Sequence, residues 1–230
     1  MYNRILLKLS GEALKNDKTE IIDFEYIQDI CLKINKLGQN RKIGIVVGGG
    51  NIWRGRNNTY IDSDLSDKIG ILGTTINSLI VHSTFNKLSI NSIVLNSFDA
   101  DNIVQKSTKE LINDSFSFNK IVVFGGGTGR VGCSTDTASA QKAIDMEADL
   151  LIKLTNVDGV YDKDPKTNVD AKKYDTVSFE EAISKELKIM DLSSLKLCHE
   201  NKIPILVINI NDLDNIINIL NGLKKGTWII

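Results

Sequence analysis

The sequence predicts an α/β protein of three layers, with helices packed on both faces of a mainly parallel central sheet. Two observations carry this. Short apolar runs, most of them β-branched, recur along the chain, and between them lie longer stretches whose apolar residues fall at helical spacing. Runs apolar on both faces need cover on both sides, which alternating strand and helix supplies through right-handed crossovers between parallel strands. A third observation concerns punctuation: only Pro165 and Pro204 and no Gly/Ser-rich tract interrupt the chain, so residues 1–230 read as a single domain.

The first run, residues 4–9 (RILLKL), leads into Ser10-Gly11-Glu12. Phe24, Ile27, Ile30, Cys31 and Ile34 then recur at helical spacing. The second run, residues 42–47 (KIGIVV), ends in Gly48-Gly49-Gly50-Asn51-Ile52-Trp53-Arg54-Gly55. Ile69, Leu72, Ile76, Leu79, Ile80 and Phe85 predict a long helix over residues 67–88. Runs at 92–95 and 120–124 follow, the latter leading into Gly125-Gly126-Gly127-Thr128-Gly129-Arg130. A helix is expected from Thr137-Ala138-Ser139, a strand over 149–154, a helix near Ser193-Ser194-Leu195, a strand over 204–208 and a closing strand over 226–230.

Composition narrows the function. A hydrophobic content of 42% supports a sizeable core and excludes disorder as the main state. Lys and Arg number 28 against 29 Asp and Glu, a net charge of −1, so no global basic field exists for a nucleic-acid backbone. An anionic ligand must be met by local cations. Cys31, Cys133 and Cys198 are too scattered for a disulfide framework or a zinc site, which fits a reducing compartment. The opening MYNRILLK has too short an apolar run for a signal peptide or a membrane span, and the expected location is the cytoplasm. His82 and His199 have no partner spacing for metal or triad chemistry and read as structural.

In a sheet of this kind ligands collect at the carboxyl ends of the strands, and three of those ends carry glycine. Glycine lets the backbone approach a ligand and present amides to phosphate. No segment reads GxxxxGK followed by Ser or Thr, so a P-loop is unsupported. Gly127 to Gly132 does satisfy GxGxxG after a strand, but the expected acidic residue, Asp149, opens the next strand rather than closing it, which argues against a dinucleotide. The cations are more informative. Lys8 and Lys153 each lie inside an apolar strand, where an ammonium is costly unless it reaches water or an anion, and Arg54 follows the triple glycine. Glycine loops with convergent cations suit transfer between two phosphates.

These residues carry a family resemblance. KLSGEAL (8–14), GGGNIWRG (48–55), GGTG (126–129) followed by STD (134–136), VDGVY (157–161) with Asp164-Pro165, and KIMDL (188–192) together resemble the bacterial UMP kinases of the amino acid kinase superfamily, from about residue 3 to 230. The resemblance implies the amino acid kinase fold and the reaction ATP + UMP to ADP + UDP in pyrimidine nucleotide biosynthesis. It also implies Mg2+ with ATP, a homohexamer, and allosteric control with GTP as activator and UTP as inhibitor. By position, Lys8, Leu9, Ser10, Gly11, Gly50 and Arg54 match residues around the ATP phosphates, and Thr155, Asn156, Tyr161 and Asp164 match the adenosine side. Gly49, Asp67, Thr128, Gly129, Arg130, Val131, Gly132, Cys133, Ser134 and Thr135 match the UMP side, with Asp67 at the start of a long helix and placed to accept from ribose hydroxyls.

The expected catalytic set is Lys8, Arg54, Lys153, Asp136 and Asp191. The acceptor phosphate is already ionised, so the aspartates are orienting groups rather than bases. Asp136 is placed to hold the lysines while capping the helix at Thr137, and Asp191 precedes another helix. Two segments depart from the family. Arg130-Val131-Gly132-Cys133 replaces the usual Asn-Pro-Phe/Tyr-Phe, offering a phosphate partner but losing an aromatic and a proline, and residues 15–21, tied in the family to GTP activation, lack the usual glycines. Two alternatives stay open: a kinase of the same superfamily acting on a carboxylate or carbamate, and a non-catalytic nucleotide-binding protein of the same fold.

Overall fold

The first apolar run becomes the middle strand of the sheet. In the computed structural model, which describes residues 2–15, 21–55, 60–165 and 167–230, strand β1 spans Arg4–Leu9, and a short 3-10 turn, Gly11–Leu14, follows it directly. The succeeding elements are α1 (Phe24–Gly38), β2 (Lys42–Val47), α2 (Ser63–Lys87), β3 (Ser92–Asn96), β4 (Gln105–Lys106), α3 (Lys109–Ser117) and β5 (Ile121–Gly125). Then come α4 (Thr135–Asp145), β6 (Leu150–Thr155), β7 (Thr176–Val177), α5 (Phe179–Ser184), α6 (Leu192–Glu200), β8 (Ile205–Asn209), α7 (Ile216–Leu220) and β9 (Thr227–Ile229).

The strands form one sheet in the order β4-β3-β5-β2-β1-β6-β8-β9-β7. All neighbours pair in parallel except β8 and β9, where the chain returns antiparallel. The expected three layers are present. Ile5, Leu7 and Leu9 pack with Ile27, Ile30 and Ile34 of α1 on one face, while Leu6 joins Ala138, Ala140 and Ala143 of α4 on the other. Each of these side chains is almost completely buried, and a buried aliphatic side chain stabilises the fold by about 1.5–3 kcal/mol. No helix among the described residues is long and apolar enough to cross a membrane.

Strand periodicity decides where the two lysines go. Side chains alternate along a strand, so Lys8 shares the α4 face with Leu6, and Lys153 shares it with Leu151. The register of β1 against β6 pairs Lys8 directly with Lys153. Like charges in such a position repel, so this face needs an anion.

Two expected boundaries shift. Helix α2 begins at Ser63 rather than at residue 67, because the Asp62 side chain accepts from the Leu65 amide at 3.0 Å and caps the helix there. Asp67 therefore lies one turn inside the helix. Helix α4 is capped by Ser134, which accepts from the Thr137 amide at 3.0 Å, and not by Asp136, whose carboxylate is turned to the lysines.

Candidate active site

Lys8 and Lys153 converge on Asp136, which lies in the first turn of α4. The Lys8 ammonium pairs with Asp136 Oδ1 at 3.1 Å, and Lys153 Nζ donates to Oδ2 at 2.9 Å. Lys153 also donates to the Ile189 carbonyl, at the edge of the KIMDL segment. Lys8 is only 8% exposed. Burial lowers the Lys153 pKa below its ordinary value, Asp136 works against that effect, and the neighbouring Lys8 reinforces it. Two lysines share one carboxylate, so the cluster holds a positive charge in excess at the carboxyl edge of the sheet.

The glycine loops at that edge are packed against one another. A Cβ on Gly11 would meet Asn51 Oδ1 at 2.4 Å, the Gly50 amide nitrogen at 2.6 Å and the Gly48 carbonyl oxygen at 2.8 Å. No side chain fits between these backbones. Asn77, fully buried in α2, fastens the second loop: its amide donates to the Gly48 carbonyl and to Asn51 Oδ1, each at 2.7 Å. In the third loop Gly126 has φ +74°, a conformation that glycine adopts at little cost.

A cleft of about 520 Å³ opens beside these loops. It is lined by Gly49, Gly50, Trp53, Arg54, Asp67, Thr74, Thr128, Arg130, Cys133, Ser134 and Thr135, so most of the expected acceptor residues share one wall or another of it. Gly132 reaches the cleft region through its amide, which donates to Asp67 Oδ2 at 2.6 Å. Val131 is exposed on the same loop. A second hollow, of about 370 Å³, is lined by Glu12, Ala13, Lys15, Tyr26, Asn156 and the residues after β8. The cleft wall ends at Ser134-Thr135, immediately before Asp136, and the hollow begins just beyond Lys8 and Lys153 in the chain.

Other expected site residues are placed differently. Leu9 is a core side chain, and its carbonyl accepts from Gly48, so it offers a ligand nothing but backbone. Thr155 Oγ1 accepts from the Val157 amide at 3.4 Å. The Tyr161 hydroxyl donates to Asp158 at 2.7 Å, Asp164 receives Asn168 on its main-chain carbonyl, and neither lines the cleft or the hollow. Ser10 precedes the 3-10 turn without a side-chain cap bond. His82 bonds Ser92 at 2.8 Å and His199 packs on Phe179, in keeping with structural roles.

Arg54 reaches the same edge, but its partner is Glu12, at 2.5 Å from Nη2, while Nε donates to the Gly50 carbonyl at 3.2 Å. Burial raises the Glu12 pKa, and Arg54 and Lys15 outweigh that effect, leaving it below the ordinary value. Sequence reasoning missed Glu12 and Asn77. The signal for Glu12 was present: an acid within a phosphate-type loop requires a cationic partner.

Asp191 joins two helices. It caps α6 through the Ser194 amide at 2.8 Å and accepts from Ser193 Oγ at 2.8 Å, from Thr137 Oγ1 at 3.2 Å and from Ser134, the cap of α4. Burial raises its pKa, but these hydroxyls and the amide outweigh burial and hold it at about 2, below the ordinary 3.8. The folded state thus favours the carboxylate, a stabilisation present above 3.8 and lost as pH falls through about 2. Asp191→Ala is expected to destabilise the protein by about 1–2 kcal/mol near neutral pH. In urea unfolding the gap from wild type narrows between pH 3.8 and 2; a constant gap would show that the charge is not its source.

Known proteins resemble this chain over its whole length. Residues 3–209 match the amino acid kinase family. A uridylate kinase of Thermosipho melanesiensis is 39% identical, over 100% of this chain and 99% of its own. One of Rickettsia bellii is also 39% identical, over 99% of this chain and 97% of its own. Among solved structures, the UMP kinase of Ureaplasma parvum superposes with a TM-score of 0.92 at 37% identity, covering 100% of this chain and 99% of that one. The UMP kinase of Bacillus anthracis gives 0.93 at 32% identity, covering 99% and 96%.

Proposed function

The chain belongs to the amino acid kinase family, and on that premise we propose that it is a UMP kinase, moving the γ-phosphoryl group of ATP to UMP to give ADP and UDP. The observation that carries the mechanism is the Lys8–Asp136–Lys153 cluster, with its unbalanced positive charge, beside interlocked glycine loops. Phosphoryl transfer must bring two anions together and stabilise charge on the moving group. The lysines serve both needs. A phosphate monoester has its second pKa at about 6, so the acceptor needs no base at neutral pH. Asp136 and Asp191 have both oxygens engaged, by lysines and by hydroxyls or an amide respectively, which suits orientation.

In this reading the cleft takes UMP, with Gly49, Asp67 and the segment from Thr128 to Thr135 around it, and Arg130 is available to its phosphate. ATP lies along Lys8, Ser10, Gly11, Gly50 and Arg54, with Thr155, Asn156, Tyr161 and Asp164 toward its adenosine. Among the described residues no three His, Cys, Asp or Glu side chains converge to hold a metal ion. The acids nearest the lysines already have partners, so Mg2+ would be held by the ATP phosphate oxygens and would offset their charge.

The reading extends to a single-domain cytoplasmic enzyme of pyrimidine nucleotide biosynthesis that assembles as a homohexamer. Leu72 and Ile76 on the exposed face of α2 support assembly. Control by GTP and UTP belongs to the same reading; residues 16–20, within the segment tied to the GTP response, lie outside the described residues.

A coupled assay of ADP release across UMP, CMP, carbamate, aspartate and acetylglutamate tests the function. UMP-dependent turnover with a clear preference over CMP is expected. Equal kcat/KM for UMP and CMP defeats the specificity, and ATP binding without turnover on any acceptor defeats the enzymatic reading.

A further inference from the structure

We propose that Glu12 is the positioning residue for Arg54, holding one edge of its guanidinium so that the other edge faces the phosphates. The inference rests on the proposed reading of Arg54 as a phosphate ligand. It begins from a contradiction in charge. A carboxylate within a loop that receives polyphosphate repels the ligand, so its presence there calls for a compensating task. Both oxygens of Glu12 meet cations: Oε1 lies 2.5 Å from Arg54 Nη2, and Oε2 lies 3.2 Å from Lys15 Nζ.

The two partners differ in how firmly they are held. Glu12 sits in the turn Gly11–Leu14, whose other residues, Gly11, Ala13 and Leu14, are buried, and the Ala13 amide closes the turn on the Ser10 carbonyl at 3.0 Å. The Arg54 side chain is 69% exposed and lies in the loop after the second glycine run. A long exposed arginine has many rotamers, and a carboxylate on a fixed turn reduces them.

The contacts also divide the guanidinium usefully. Nε and Nη2 form one edge of the planar group, and these are the atoms on the Gly50 carbonyl and on Glu12. The N–H bonds at the Nη1 end stay available for a second, forked contact. Arg54 lines the cleft, and Glu12 lines the neighbouring hollow, so the pair spans both sides of the transfer region.

The test is a double-mutant cycle on the full-length protein, comparing wild type with Glu12→Ala, Glu12→Gln, Arg54→Ala and the Glu12→Ala/Arg54→Ala pair. Steady-state kinetics for ATP and UMP are read alongside thermal melts. Glu12→Ala is expected to lower kcat by about 10-fold, the lower end of what loss of an orienting partner costs. Glu12→Gln keeps the shape of the contact without its charge and is expected to fall between wild type and Glu12→Ala. The Glu12→Ala effect vanishes once Arg54 is alanine. An equal loss with and without Arg54 overturns the proposal in favour of a general structural role. Unchanged kcat in Glu12→Ala, or a lower KM for ATP there, overturns it in favour of an idle or merely repulsive carboxylate. If Arg54→Ala itself turns over like wild type, the premise and the proposal fall together, and that result is distinct from the other two.

Discussion

Lys8→Ala is expected to lower kcat by ~10²- to 10³-fold with the fold intact, the size of effect seen when one preorganised donor to transition-state charge is removed. The fold survives for an electrostatic reason. Lys153 then has Asp136 to itself, at 2.9 Å, and loses the like charge that lowers its own pKa. No buried charge is left without a partner. The same reasoning gives a second readout: the alkaline limb of the residual activity moves to higher pH, because Lys153 holds its proton more tightly. Rate measurements across pH, with thermal melts as the control for folding, check both parts. A folded Lys8→Ala protein with wild-type turnover removes Lys8 from the mechanism.

Asp136→Asn reverses the situation and is expected to cost stability as well as rate. Two lysines in register on adjacent strands, one of them 8% exposed, lose the carboxylate that both contact. Removing one member of a buried ionic set costs about 3–5 kcal/mol, since the remaining charge is uncompensated. The loss should depend on pH. Without Asp136 the Lys153 pKa falls further below its ordinary 10.5, so in the window beneath that value the unfolded chain binds more protons than the folded one. Stability therefore rises with pH there. Urea unfolding of the variant between neutral and alkaline pH should show partial recovery. A deficit independent of pH would mean that the shape of the carboxylate, and not its charge, matters.

Legibility in the sequence followed burial. Strands β1 and β2 match their apolar runs end to end, because both faces of a central strand are covered and every residue reports it. The edge strands β4 and β7 are two residues each and largely exposed, so Gln105, Lys106 and Thr176 carry no such mark. The start of α2 lies ahead of its apolar spacing, because Leu65 is the one apolar residue from Ser63 to Ser66 and the boundary is set by the Asp62 cap. In the site, Lys8 and Lys153 were legible as charges inside apolar strands, and Asp136 as their common partner. Which residue caps α4 was not, since Ser134 and Asp136 are both competent and only the third dimension assigns one to the helix and the other to the lysines. Glu12 and Arg54 are far apart in the chain, and Asn77 reaches Gly48 from mid-helix. Contacts of that range leave no local pattern.

The buried side of α2 has a bearing on how the cleft is built. Among its buried side chains only Val81 and Phe85 are apolar, and both lie toward its C-terminal end; around the cleft it buries Ser66 and Thr74, with Gly73 beside them in the helix. Hydroxyls and glycine contribute little of the apolar burial that anchors a helix to a sheet. They let the backbones approach instead: a Cβ on Gly49 would meet the Gly70 carbonyl oxygen at 2.8 Å and the Thr74 amide nitrogen at 3.1 Å, and Trp53 Nε1 donates to Ser66 Oγ at 2.9 Å. This end of the cleft wall is therefore main chain packed against main chain. A larger residue at Gly49 would have to push the helix away from the loop, so the width of the cleft at this end is set by the absence of a side chain.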